Sequence, residues 1–283
     1  MKKKILILYE KSKKIGMGHY YRSLRLNQLL KNYYYTEIKQ LKKKIKLEYL
    51  LRGYDLSILD LKVYPKISKK NKIITFENIY KSNINHLSIN PLDINLANSG
   101  PEYFLFPKNI DKINYNFNKK KKINILFLQG GVDSNNQLNK LINYVLIKKK
   151  EINFNFNIVS KNFINNKIKN KTNLKILKFN KDVTKLYKNI QIAISSVGNT
   201  SFELGRIGIP SIHYTLEKRE IKRAKILNKL NLGRYVNKDD MYEIIKELNK
   251  IYNNDNYRKK LVENRKKYFK RKNKLLNIIQ NEI

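Results

Sequence analysis

The chain has 283 residues, 41% of them hydrophobic, enough to bury one large core or two of medium size. It contains no cysteine, which excludes disulfides, thiolate metal sites and cysteine nucleophiles, and only three histidines, His19, His86 and His213, none at metal-binding spacing. Lys and Arg number 61 against 22 Asp and Glu, a net charge of +39 spread along the chain rather than gathered in a tail, so a diphosphate ligand meets a favourable potential.

Lys2-Lys3-Lys4 followed by Ile5–Leu8 begins like a secretory leader, but Glu10 ends an apolar run too short for one. No later apolar segment has the length needed to cross a bilayer, so a cytoplasmic location is expected. Lys4–Tyr9 reads as a strand and Tyr20–Lys31 as a helix that buries Leu24, Leu26, Leu29 and Leu30. Between them stands Gly16-Met17-Gly18-His19-Tyr20-Tyr21-Arg22. Two glycines at a strand-to-helix junction permit a tight turn and leave the first helical N–H groups open to an anion. Leu56–Leu61, with Asp60 at its end, and Lys72–Phe76, followed by Glu77-Asn78, are two more strands. Tyr103–Pro107 is a short apolar piece, and the polar stretch Lys108–Lys122 reads as an interdomain linker.

The second half repeats the pattern. Ile123–Leu128 is a strand, Gln129-Gly130-Gly131 a turn, and Ser134 the N-cap of a helix with Leu138, Leu141, Ile142, Val145 and Leu146 on one face. Phe154–Ser160, Leu174–Phe179, Gln191–Ser195 and Ser211–Tyr214 are further strands, and Tyr257–Ile279 is one long basic helix. Strands alternating with helices predict an α/β fold with parallel sheets covered on both faces. Two tandem Rossmann-like domains are expected, at 1–115 and 122–283, with a ligand cleft between them at the carboxyl ends of the strands.

Three loops carry candidate chemistry. His19 follows the first glycine loop, where a neutral imidazole could orient or deprotonate a nucleophile. Arg22, one turn on, either faces the same ligand or makes a surface salt bridge. Ser195-Ser196-Val197-Gly198-Asn199-Thr200-Ser201-Phe202-Glu203 repeats the anion-binding pattern in the second half. There Thr200 and Glu203 fit a capping box, while Glu203 could instead accept hydrogen bonds from a ribose. Gly205, Gly208 and Pro210 are expected to end that helix. The full set of candidate substrate contacts is Gly16, Gly18, Arg22, Asp60, Gly130, Gly131, Ser196, Gly198, Asn199, Thr200, Ser201 and Glu203.

Ile15–Leu26 resembles the glycine-histidine-arginine signature of the UDP-sugar hydrolases of pseudaminic acid biosynthesis. Leu56–Asp60, Lys72–Asn78, Leu126–Asp133 and Ala193–Ile212 follow in that family's order and with similar spacing, over about the first 235 residues. The second-half motif is shared with the wider group of two-domain glycosyltransferases that includes the lipid II N-acetylglucosaminyltransferase. The resemblance implies a GT-B architecture with UDP held mainly by the carboxyl-terminal domain, His19 as the catalytic residue and Glu203 on the ribose. Two positions depart from the family. Its tyrosine two residues after the aspartate is Lys62 here, with Tyr64 nearest, and Glu217-Lys218-Arg219-Glu220 replaces its Asn-Gln pair.

Three functions remain open on these residues. The first is a nucleotide-sugar hydrolase, without metal or cofactor, that releases UDP from a UDP-linked amino-deoxy sugar in nonulosonic acid or surface-polysaccharide biosynthesis. The second is a GT-B glycosyltransferase in which His19 activates an acceptor hydroxyl. The third is a basic nucleic-acid-binding protein, disfavoured because no aromatic and basic residues cluster in an RNA-binding motif. The basic surface could make weak contact with an anionic membrane, while the terminal basic helix is expected to pack on the domain with a solvated cationic face.

Overall fold

In the computed structural model the described residues are 2–11, 17–42, 47–61, 72–77, 86–94, 96–118, 122–128, 139–140, 143–144, 154–159, 174–177, 182–215, 218–237 and 240–283. They fall into two compact units, residues 1–106 with 271–283, and residues 107–270.

The first unit holds five parallel strands, β1 (Lys4–Tyr9), β2 (Tyr35–Gln40), β3 (Leu56–Asp60), β4 (Ile73–Phe76) and β5 (Leu87–Ile89), in the order β2-β1-β3-β4-β5. Helix α1 (Gly18–Leu30) follows β1, and α2 (Leu47–Leu51) precedes β3. Alternate strand residues point to opposite faces. Ile5, Ile7, Leu56, Ile58, Ile74 and Phe76 therefore pack with Leu26 and Leu30 of α1. Leu6, Leu8 and Leu59 pack on the other face with Leu47 and Leu51 of α2. Both faces are covered, which is why these strands read as continuous apolar runs.

The second unit holds six parallel strands, β6 (Asn124–Leu128), β7 (Asn155–Val159), β8 (Leu174–Leu177), β9 (Ile192–Ser195), β10 (Ser211–Tyr214) and β11 (Arg234–Val236), in the order β11-β10-β9-β6-β7-β8. Its helices among the described residues include α3 (Thr184–Tyr187), α4 (Asn199–Ile207), α5 (Lys218–Lys229), α6 (Met241–Asn253) and α7 (Asp255–Phe269). Ile244, Leu248 and Ile251 of α6 and Leu261 of α7 cover one face of this sheet. No helix among the described residues is long and apolar enough to cross a membrane.

Each sheet has one point where the strand order reverses, between β1 and β3 in the first unit and between β6 and β9 in the second. In open parallel sheets ligands bind outside the carboxyl ends of the strands at that point, because the two flanking connections leave in opposite directions and open a crevice. The start of α1, which follows β1, and the loop from Ser195 to Asn199, which follows β9, come after strands that flank these two points.

Three expectations about organisation are corrected. The terminal helix is two helices. α7 stops at Phe269, and α8 (Leu275–Glu282) begins after a break without regular structure. Leu275 and Ile279 of α8 enter the core of the first unit, the Lys274 N–H donates to the Glu102 carbonyl at 2.7 Å, and Asn273 Nδ2 donates to the Phe104 carbonyl at 2.9 Å. The last thirteen residues therefore belong to the first unit and not, as expected, to the carboxyl-terminal domain.

The segment read as a linker is not free either. Ile110 is buried, Asp111 pairs with Arg206 at 2.8 Å, the Tyr115 hydroxyl donates to the Gln191 carbonyl, and Arg258 lies 3.6 Å over the Phe117 ring. Its sparse apolar residues are those it buries, so composition alone misreads it. The apolar piece Tyr103–Pro107 overlaps the end of a 3-10 turn, Pro101–Tyr103. The expected helix face Leu138–Leu146, with its N-cap Ser134, falls largely outside the described residues.

Candidate active site

Helix α1 starts at Gly18, with Met17 at its N-cap and no side-chain cap, so His19 and Arg22 sit on its first turn at the end of β1. Three residues apart, they share a helix face and turn towards the end of β3. There Asp60 is buried. His19 Nδ1 stands 2.5 Å from Asp60 Oδ1. Arg22 donates from Nε to Asp60 Oδ2 at 2.6 Å and from Nη2 to Oδ1 at 2.5 Å. Burial pushes the Asp60 carboxyl up, but the charges of Arg22 and then His19 outweigh it and hold it down at about 2.

An ionised Asp60 accepts only, so it selects the neutral His19 tautomer with the proton on Nδ1 and leaves Nε2 as the ring's basic atom. Asp60 was expected to touch substrate and Arg22 to line a ligand site or sit on the surface. Both are buried, and Asp60 is bonded to His19 and to Arg22. Beside this pair, Tyr9 and Tyr20 pack with ring centroids 5.3 Å apart, and Lys11 lies over Tyr20 at 5.2 Å. Gly18 is exposed at the helix start, and Gly16 lies outside the described residues.

In the second unit, β9 ends at Ser195, and α4 begins at Asn199 with Gly198 as its N-cap and no side-chain cap. The expected Thr200–Glu203 capping box is absent, because the helix starts one residue before Thr200 and both residues lie inside it. A Cβ built on Gly198 would meet nothing within 4 Å, so the backbone at the helix start faces open space. Around that start, Ser195 Oγ, Asn199 Oδ1 and Thr215 Oγ1 are buried and make no hydrogen bond among the described residues. Unpaired buried hydroxyl and amide groups are costly unless a ligand or water pairs them. Together with the N-terminal end of a nine-residue helix, they can receive a phosphate.

The other residues of the motif sit as follows within the second unit. Ser201 Oγ donates to the Gly198 carbonyl at 2.9 Å, and its own carbonyl accepts from Arg265 Nη2 at 3.0 Å. Glu203 is buried, and Tyr187 donates its hydroxyl to Glu203 Oε2 at 2.5 Å. Ser196 is buried at the end of β9, and Thr200 is half-buried on the first turn of α4. Gly205 does not end the helix. It lies inside α4, where the Phe269 ring presses on it, and Gly208 with φ +91 forms the C-cap. Gly130 and Gly131 lie outside the described residues.

His213 is fully buried on β10 beside Ser195 and Gly233. Burial, with Arg265 nearby, lowers it to about 3 against a weaker opposing contact from the Ser195 backbone, so it is neutral at physiological pH. Sequence reasoning missed one acid at the first site. Glu77, buried at the end of β4, places Oε1 3.8 Å from Arg22 Nη1. The available signal was its position, since Asp60 and Glu77 each stand at the end of an apolar strand.

The profile described as Glycosyltransferase family 28 C-terminal domain matches residues 125–279. The structure superposes on the glycotransferase of kitacinnamycin with a TM-score of 0.68 at 8% identity, covering 100% of this chain and 99% of that one. It matches the spinosyn rhamnosyltransferase SpnG complexed with thymidine diphosphate at 0.67 and 9% identity, covering 99% and 100%. It matches Arabidopsis thaliana UGT89C1 complexed with quercetin at 0.62 and 10% identity, covering 99% and 98%. A comparison with curated protein sequences returned no match. The two parallel-sheet Rossmann-like units are those of the GT-B glycosyltransferase fold. With more than half of its 283 residues matched, the chain belongs to the family defined by the glycosyltransferase family 28 C-terminal domain.

Proposed function

We propose that the protein is a glycosyltransferase that takes its sugar from a nucleotide diphosphate, UDP in the first instance, with His19 as general base. The observation that carries this reading is the 2.5 Å contact between His19 Nδ1 and an Asp60 carboxylate that Arg22 holds ionised. With Nδ1 occupied, Nε2 takes the proton of an acceptor hydroxyl as its oxygen attacks the anomeric carbon. The bond from that carbon to the diphosphate oxygen breaks, the proton stays on His19, and the nucleotide diphosphate leaves. In the second unit, the amino end of α4, with Ser195, Asn199 and Thr215 as supporting polar groups, is proposed to bind a diphosphate. Glu203 is proposed to reach the ribose while Tyr187 holds its other edge.

A second reading has water in place of the acceptor, which makes the protein a nucleotide-sugar hydrolase. The Gly18-His19-Tyr20-Tyr21-Arg22 resemblance supports it, and the glycosyltransferase family match supports the first reading. Release of UDP or TDP from a panel of nucleotide sugars, with and without hydroxyl acceptors, separates the two. Transfer requires release to depend on acceptor, and hydrolysis does not. UDP should also raise the melting temperature of the folded chain by mass action. His19→Asn should lower turnover by about 10²–10⁴-fold with little change in UDP affinity. Full activity in that variant, or no stabilisation by any nucleotide, refutes the proposal.

A further inference from the structure

The first unit buries two carboxylates around one arginine. Asp60 takes Nε and Nη2 of Arg22, and Glu77 Oε1 stands 3.8 Å from Nη1, the nitrogen that Asp60 does not take. The arginine also lies over the Phe76 ring at 5.7 Å, so β3, β4 and α1 all contribute to one cluster. Glu77 is an odd residue for its place. Its φ is +61, and the other described non-glycine residues with positive φ, Asn98, Asn189 and Asn231, are all asparagine. Asparagine tolerates the left-handed region better than glutamate does.

Two backbone bonds hold the strained residue. The Glu77 N–H donates to the Ile89 carbonyl at 2.9 Å, and the Leu92 N–H donates to Glu77 Oε1 at 3.0 Å. An amide side chain could accept the second of these equally well. What the backbone strain maintains that asparagine or glutamine would not is a buried negative charge beside Arg22. Strain kept at such a position points to function.

The charges suggest what that function is. Within the group His19, Arg22, Asp60 and Glu77, the charges sum to −1 when the imidazole is neutral and to zero when it carries a second proton. The cluster is balanced when His19 carries the second proton. Fixed charges matched to the transition state rather than the ground state are how a preorganised site lowers a barrier. We propose that Glu77 is a positioning residue for the His19–Asp60 pair: it fixes Arg22 at Nη1 and supplies the second negative charge that the imidazolium of His19 balances. The proposal rests on the reading of His19 as general base, while its structural part can be tested without any substrate.

The test uses full-length protein labelled with ¹⁵N-histidine, in which only three rings contribute and His19 is assigned by its loss in His19→Asn. Glu77→Gln keeps an oxygen for the Leu92 N–H and removes the charge, and Glu77→Asn removes the charge and suits the positive φ. At neutral pH the wild-type His19 Nδ1–H should resonate far downfield, as expected of a charge-assisted bond to Asp60. In both variants it should move upfield and exchange faster with water, while the melting temperature of Glu77→Asn stays at or above that of wild type. On any nucleotide sugar that wild type turns over, kcat should fall about 10–100-fold, as for other partners that orient a working histidine, with KM nearly unchanged. An unmoved His19 resonance in the folded variants overturns the proposal even if the enzyme transfers sugar. A moved resonance in a protein that turns over no sugar upholds the positioning geometry and refutes only the activity.

Discussion

His213 should make this protein sensitive to mild acid, and removing it should relieve that sensitivity. Its ring is fully buried on β10 and is lowered to about 3 by burial, with Arg265 adding to the effect. In the unfolded chain the same ring titrates near 6.5. Between these values the unfolded state binds a proton that the folded state refuses, so stability falls as pH drops below 6.5 and the loss is complete near pH 3. Each pH step of one between the two values costs about 1.4 kcal/mol, so the penalty reaches about 2 kcal/mol at pH 5 and about 3 kcal/mol at pH 4.

Among the described residues neither ring nitrogen of His213 has a hydrogen-bond partner of good geometry, so His213→Leu removes the titration and gives up only the weaker Ser195 backbone contact. Urea titrations of both proteins at pH 7, 6, 5 and 4 measure the effect. The stability difference between variant and wild type should move in the variant's favour by about 2 kcal/mol from pH 7 to pH 5. Parallel pH dependences for the two proteins would show that His213 titrates normally, and would refute the burial argument.

Gly205→Ala places a Cβ 2.3 Å from the Phe269 ring, and overpacking of this kind should cost about 1–3 kcal/mol in a denaturant titration. Glu203→Gln retains the Tyr187 contact and removes the charge. Isothermal titration with UDP should show weaker binding if Glu203 holds the ribose and unchanged binding if its role ends at Tyr187.

Much of the architecture could be read from the sequence because its signal is local. The strands β1, β3, β4, β6, β9 and β10 are apolar runs bounded by turn residues, and each is buried on both faces. β2 escaped notice because it is an edge strand whose residues Tyr35-Thr36-Glu37-Ile38-Lys39-Gln40 are at most half-buried and mostly polar. Helix α6 was legible and overlooked. Asp240 accepts from the Glu243 N–H at its start, and Ile244, Ile245, Leu248 and Ile251 repeat at helical spacing.

By itself the sequence determined the α/β class, the two glycine-bearing strand-to-helix junctions and the placement of His19 at one of them, since these depend on periodicity and residue type within a few positions. Only the tertiary structure decided what His19 touches. Asp60 lies 41 residues from it and Glu77 further still, and parallel strand order, not sequence distance, brings the ends of β1, β3 and β4 side by side. Arg22 shows the difference most plainly. A basic residue on a first helical turn suits a surface pair or a ligand equally, and the choice fell to burial, because a guanidinium out of water must find carboxylates. The last thirteen residues teach the same lesson at the scale of a unit: α8 is apolar on one face whichever core it joins, and Glu102, Phe104 and the open face beside Leu26 and Leu30 settled which one.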